Sequence, residues 1–158
     1  MPPATPITAS LDVPDARPEI VHALLTDIAA WRLWSPHVAS VRPGHGTVRA
    51  GQTVATRAFF SPAVTPMHVD WVQPGAGMGW HSRAAGHTLT YENRVDPLPG
   101  GGTRIAFSAQ VDGPAAGAVR ALAAPLSRLG MRRRIARLAR LALLVQRQAA
   151  SDDATASG

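Results

Sequence analysis

Tyr91 and Asn93 stand two residues apart in a stretch, His87 to Val95, that alternates as a β-strand does. Period-two parity puts His87, Leu89, Tyr91, Asn93 and Val95 on one face and Thr88, Thr90, Glu92 and Arg94 on the other. A phenol on an inward face can donate to a developing enolate, and an amide beside it can orient a carbonyl. His87 is the candidate general base, since imidazole titrates near neutrality; next to Gly86 at a strand start, it fits a solvated rim position equally well. The competing role for Tyr91 and Asn93 is to satisfy backbone groups or water near the sheet end. Contact with a ligand is the preferred reading of this pair, and catalysis the secondary one.

The same parity argument gives the walls. In the run Met67 to Gln73, Met67, Val69 and Trp71 oppose His68 and Asp70. In Met78 to Ala84, Met78, Trp80 and Ser82 oppose His81 and Arg83, and in Thr103 to Asp112, Phe107 belongs to the apolar row Ile105, Phe107, Ala109 and Val111. The expected ligand-binding set is therefore Met67, Val69, Trp71, Trp80, Ser82, Leu89 and Phe107, with Trp34 at the cavity mouth or in the core. Any one of these aromatics could simply fill a closed core. Together, lining a hollow with few polar atoms, they suit a planar or lipid-like ligand. The segment Gly51 to Phe60 stays ambiguous, because Phe59 and Phe60 are adjacent: it either faces Arg57 outward or hides a bulge.

Other chemistries find no support. The six histidines show no HExxH and no tight acidic spacing, and there is no cysteine, so no metal site or cofactor is expected. Gly100-Gly101-Gly102 precedes a strand and reads as a hairpin turn, not a phosphate cradle. Asp27, before Trp31 and Trp34, reads as a structural helix-end carboxylate.

These residues need a scaffold. Ile7 to Val13 reads as a strand. A short helix with Pro18 in its first turn, capped by Asp15, follows, and a second from Ile28 to Trp34 stops before Pro36. Six strands separated by Gly/Pro turns come next, and short turns between successive strands imply antiparallel neighbours. The last element is a helix from Pro125 to about Gln148, in which Met131, Ile135, Leu138, Ala142 and Val145 share an apolar face and Arg133, Arg137, Arg140 and Arg147 lie close to the opposite one. That stripe needs a cover, and the strands are the available one. The fold expected is α+β, a seven-stranded antiparallel sheet wrapped around a long C-terminal helix. Residues 1–6 read as a flexible arm, 7–148 as one domain and 149–158 as a disordered tail.

The net charge is +6 with a pI of about 11.5, and all sixteen basic residues are arginine. Arginine alone, in an Ala- and Gly-rich chain, fits a GC-biased codon choice and weakens any inference from charge to nucleic acid. No secretory signal and no membrane-spanning run is visible, so a cytoplasmic protein is expected, monomer or homodimer.

The stretch PDARPEIVHALLTDIAAWRLWSP, then PGAGMGWHS, HTLTYENRVDPLPGGGTRIAFSAQVDGP and an Arg-rich terminal helix resemble the polyketide cyclase/dehydrase branch of the SRPBCC superfamily. The START domains and the major birch pollen allergen share that superfamily. The resemblance covers about residues 7 to 146 and rests on fold signatures, not catalytic motifs. It implies the helix-grip fold, with a hydrophobic or aromatic small molecule bound in an internal cavity. In some members it also implies cyclisation or dehydration of a polyketide there. The expected function is therefore such binding, with cyclase-type acid/base and positioning catalysis. One alternative is a non-catalytic lipid or hydrophobic-ligand carrier. The other, ranked last, is anionic membrane or nucleic-acid binding through the Arg-rich helix.

Overall fold

The computed structural model describes residues 5–156. Seven strands form one antiparallel sheet: β1 (Ile7–Val13), β2 (Val38–Arg42), β3 (Thr53–Ala58), β4 (Val64–Gln73), β5 (Gly77–Ala84), β6 (His87–Pro97) and β7 (Thr103–Asp112). Their order across the sheet is β1-β7-β6-β5-β4-β3-β2. Strands β2 to β7 thus run as a meander, and β1 closes beside β7. Helix α1 (Pro18–Thr26), a 3-10 turn (Ile28–Ala30) and α2 (Trp31–Trp34) connect β1 to β2, and α3 (Ala116–Ala156) ends the chain. The α+β architecture expected from alternation and turn residues is the one found. Of the expected N-terminal arm, residues 1–4 lie outside the described residues.

Alternation sets the core. Val95, Ile105, Phe107, Ala109, Val54, Met67, Val69 and Met78 are buried from the sheet side, and Met131, Ile135, Leu138, Ala139 and Ala142 from α3. Trp31 and Trp34 are pinned beneath the sheet because their indole N–H groups donate to the Leu25 and Leu24 carbonyls at 2.9 and 3.2 Å. Asp27 accepts from the Ala29 N–H at 3.0 Å and so caps the 3-10 turn, as its helix-end position suggested. At the β6–β7 turn Gly102 lies against the Pro14 backbone with no room for a Cβ, and the Thr103 hydroxyl donates to the Ala16 carbonyl at 2.6 Å.

Four expectations need correction. Asp15 does not cap α1: the N-cap is Arg17, Pro18 opens the helix, and Gln146 of α3 bridges the corner, accepting from the Arg17 N–H and donating to the Asp15 carbonyl. Helix α3 begins at Ala116, well before Pro125, because the Ala-rich stretch after the Gly113-Pro114 break is a good helix former. It also runs on to Ala156. The expected disordered tail from residue 149 is helical that far, held by Gln148 Nε2 donating to Asp152 and Ser151 donating to the Arg147 carbonyl. Residues 157–158 lie outside the described residues. Finally Val145 is 41% exposed: four residues on from Ala142 the buried face carries Gln146, and Val145 falls on its flank.

Strand register gathers the β3–β4 loop, the β5–β6 turn, the start of β2 and the β7–α3 junction at one end of the sheet. Phe59, Phe60 and Val64 are exposed there, and Val119, Leu122, Leu126 and Leu129 are exposed along the part of α3 that leaves it.

Candidate functional site

Between the sheet and the helices lies a cavity of about 110 Å³. Leu25, Trp31 and Trp34 line it from the helical side, Thr56, Met67, Met78, Trp80, Tyr91 and Asn93 from the sheet, and Arg134 from α3. Ser35, His37 and Val38, where α2 passes into β2, complete the wall. The sheet residues meet because register aligns them: Trp80 pairs with Tyr91 and Met78 with Asn93 across β5–β6. Trp80 and Tyr91 stack at 4.0 Å between ring centroids and 15° between planes, giving the cavity one flat wall. Trp34 meets Phe107 edge-on at 6.0 Å.

Of the residues expected from sequence, Tyr91, Asn93, Met67, Trp80 and Trp34 do line this cavity. Phe107 and Val69 are buried in the core beside it, outside its lining. Ser82 and Leu89 pair with each other on the inward face and also stand outside the lining.

Trp71 is misplaced by parity. A bulge at Asp70 lets Val69 pair with Trp80 and Trp71 with Gly79, so Trp71 shares the outer face with His68 and His81. Its indole covers Gly79, where a Cβ would strike the ring, and Arg94 lies 5.4 Å from the ring centroid. His87 has inward parity but sits at the β5–β6 turn, away from the cavity. Its ring nitrogens lie 3.0 and 2.7 Å from the Ala85 and Pro114 carbonyls, which ties the turn to the start of α3. It is thus placed as a structural clasp, not as a base for cavity chemistry.

Parity within β3 resolves the ambiguous segment: Val54 is buried and Thr56 lines the cavity, so Arg57 faces out. Both bulges of the sheet lie elsewhere, in β2 and β4.

Four polar residues of the lining were missed: Ser35, His37, Thr56 and Arg134. Arg134 stands three after Met131 and four before Leu138, so it belongs to the buried face of α3; the same spacing that found the apolar stripe could have found it. Its guanidinium carbon lies 5.4 Å from the Trp34 centroid and 5.2 Å from that of Phe107, and its Nε is shut off from solvent without a hydrogen-bond partner. Burial lowers its pKa to about 10, opposed by its proximity to Tyr91. His37 follows Pro36 at the entrance to β2, 3.5 Å from the Ser35 hydroxyl. Burial, and then the charge of Arg134, lower its pKa to about 4. Burial raises that of the Tyr91 phenol, with Arg134 pulling the other way.

At neutral pH the cavity therefore presents one cation, a neutral imidazole, a neutral phenol, an amide and the Ser35 and Thr56 hydroxyls, with no carboxylate among its lining. Among the described residues neither the Tyr91 hydroxyl nor the Asn93 amide forms a side-chain hydrogen bond to the protein. Such a set stabilises negative charge developing on a ligand oxygen more readily than it shuttles protons, because its most basic neutral group, His37, is a weak base.

The model of a family described as polyketide cyclase/dehydrase and lipid transport matches residues 5–143. No curated protein matches the chain significantly. Among solved structures, a hypothetical protein of Helicobacter pylori is 13% identical, with 89% of each chain covered and a TM-score of 0.74. A START superfamily protein of Mycobacterium smegmatis is 13% identical over 86% of this chain and 98% of that one, with a TM-score of 0.60. DynU16, a protein in the dynemicin biosynthetic locus, is 15% identical over 87% of this chain and 47% of that one, with a TM-score of 0.62. At such identities the likeness is one of fold.

Proposed function

Because the chain belongs to the polyketide cyclase/dehydrase and lipid transport family, we propose that it binds a hydrophobic, ring-bearing small molecule between sheet and α3. The observation that carries this reading is the company kept by Tyr91, Asn93 and Arg134: three polar groups turned into an apolar, aromatic cavity, none hydrogen-bonded to another protein group there. Buried polar groups in folded proteins are ordinarily hydrogen-bonded, so this capacity is available to a ligand. A cavity of roughly 150 Å³ holds benzene, so about 110 Å³ encloses no more than a single ring of a ligand. A longer ligand leaves its remainder at the mouth.

The finer reading is cyclisation or dehydration of a polyketide-like substrate. Arg134 and the Tyr91 hydroxyl supply what an enolate intermediate needs, while Trp80 supplies a flat wall for the closing ring. The carrier reading shares the cavity and lacks the turnover. Native mass spectrometry of the freshly purified protein tests the binding: a co-purified ring-bearing molecule is expected. Incubation with a short poly-β-keto thioester then separates enzyme from carrier, conversion marking the first and retention without conversion the second. A protein that neither carries nor takes up any ring-bearing compound would overturn both.

Contact with an anionic membrane is favoured by a separate observation. No Asp or Glu occurs between Asp27 and Asp70 or between Asp112 and Asp152, and twelve of the sixteen arginines do. Phe59, Phe60, Leu122 and Leu126 stand exposed within those same acid-free stretches. Apolar side chains among arginines suit an anionic lipid surface. Co-sedimentation with phosphatidylglycerol vesicles but not with phosphatidylcholine vesicles is expected, weakened by Phe60→Ser. Equal behaviour toward the two lipids would remove this reading. Nucleic acid is the less suited partner, since the exposed arginines of α3 have leucines, not aromatic rings, beside them.

A further inference from the structure

Arg134 is the one feature of the cavity that binding of a neutral ring leaves unexplained. Among the described residues no carboxylate forms an ion pair with it. The faces of Trp34 and Phe107 attract its charge but offer no acceptor for its N–H donors. Its Nε is sealed from solvent and unpaired. Its neighbours in the lining, Tyr91, Asn93 and His37, are uncharged at neutral pH. A cation placed in such surroundings without a counter-charge is costly, and its position is no accident of a frayed side chain: residue 134 lies within the buried stripe of α3 between Met131 and Leu138.

Resting on the cavity reading above, we infer that Arg134 anchors an ionised carboxylate on the ligand, which makes ring-bearing carboxylic acids the ligand class. The guanidinium offers its terminal N–H groups as a planar fork that matches the two oxygens of a carboxylate. The Tyr91 hydroxyl and the Asn93 amide are further donors in the same lining. The acid's ring then packs against the stacked Trp80 and Tyr91, and the Met67 and Met78 side chains adjust to its outline. Against an apolar, aromatic lining the pairing of the two charges is stronger than in open water, and it replaces the missing counter-ion of the free protein.

Benzoate and benzamide provide the test, because they share size and shape and differ in charge. Binding is followed by calorimetry at fixed chloride concentration. Benzoate is expected to bind the wild-type protein at least tenfold more tightly than benzamide. Arg134→Met should abolish that preference, and the exposed-site control Arg137→Met should retain it. Equal affinity of the two compounds for the wild type, or a preference that survives Arg134→Met, overturns the assignment and leaves the cavity reading standing. Failure of both compounds to bind overturns the two readings together. Should Arg134→Met not fold, the wild type labelled with 15N-arginine answers instead. The Arg134 Nε–H resonance should move on addition of benzoate and stay in place with benzamide; an unmoved signal in both titrations counts against the proposal.

Discussion

Tyr91 shows how one side chain can divide its two ends between fold and ligand. Its ring stacks on Trp80, while its hydroxyl bonds no protein group among the described residues. Tyr91→Phe should therefore change stability by less than about 0.5 kcal/mol. It should weaken a ligand that accepts from the hydroxyl by about 0.5–1.5 kcal/mol, read by calorimetry. A variant with unchanged affinity would make the residue a wall and nothing more. His37 carries a prediction in pH. Its unfolded-state pKa is 6.5 and its folded one about 4. Between those values the unfolded chain holds a proton that the folded chain does not, so stability present above pH 6.5 is lost as pH falls toward 4. The melting temperature of His37→Gln should fall less steeply across that window than that of the wild type; parallel curves would show that the imbalance is not at His37. Tyr91, Asn93 and Trp80 were legible because alternation survives through β5 and β6. His37 was not, since nothing in a loop after Pro36 tells which way a side chain turns.

At the scale of elements, α3 separates burial from charge within single turns. Leu138 is fully buried and Arg137 beside it is exposed. Leu138→Asp places an unpaired charge in the core and should destabilise by about 3 kcal/mol or more, whereas Arg137→Ala should change stability by less than about 0.5 kcal/mol. Chemical denaturation of the two variants checks this, and similar midpoints would refute the face assignment. The number and order of the strands could be read from turn residues and period-two runs. The bulge at Asp70 could not. It leaves the composition of β4 unchanged and inverts every side chain after it, which is why Trp71 was assigned to the wrong face. The start of α3 was misread for a different reason: Pro125 reads as a first-turn residue, yet it sits inside the helix.

For the molecule as a whole, cavity and core are joined through α3, which supplies both Arg134 and the Leu138 layer. A ligand bound only by the folded state at a hundredfold excess over its Kd adds about 2.7 kcal/mol to stability. For a chain of this size each kcal/mol shifts the midpoint by about 2–4 °C. Whatever ring-bearing compound is identified by mass spectrometry should thus raise the melting temperature by at least about 5 °C at that excess. A ligand that leaves the melt untouched is held somewhere other than the native cavity. The overall architecture was the most legible property of the sequence, because it depends on many alternating positions at once. The cavity depends on a few contacts between elements far apart in the chain, and one of its polar groups lay unnoticed on an otherwise apolar stripe.

The first half of α3 differs from the second in one respect: nothing before Met131 is buried. It also contains Pro125, which cannot donate to the Ala121 carbonyl, and two glycines, Gly117 and Gly130. One continuous helix should therefore keep two clocks. In hydrogen–deuterium exchange, amides from Met131 to Ala142 should open only with global unfolding, while those from Ala116 to Gly130 should exchange by local fraying, without the rest of the domain noticing. Uniform protection along α3 would mean that some surface covers its first half in solution.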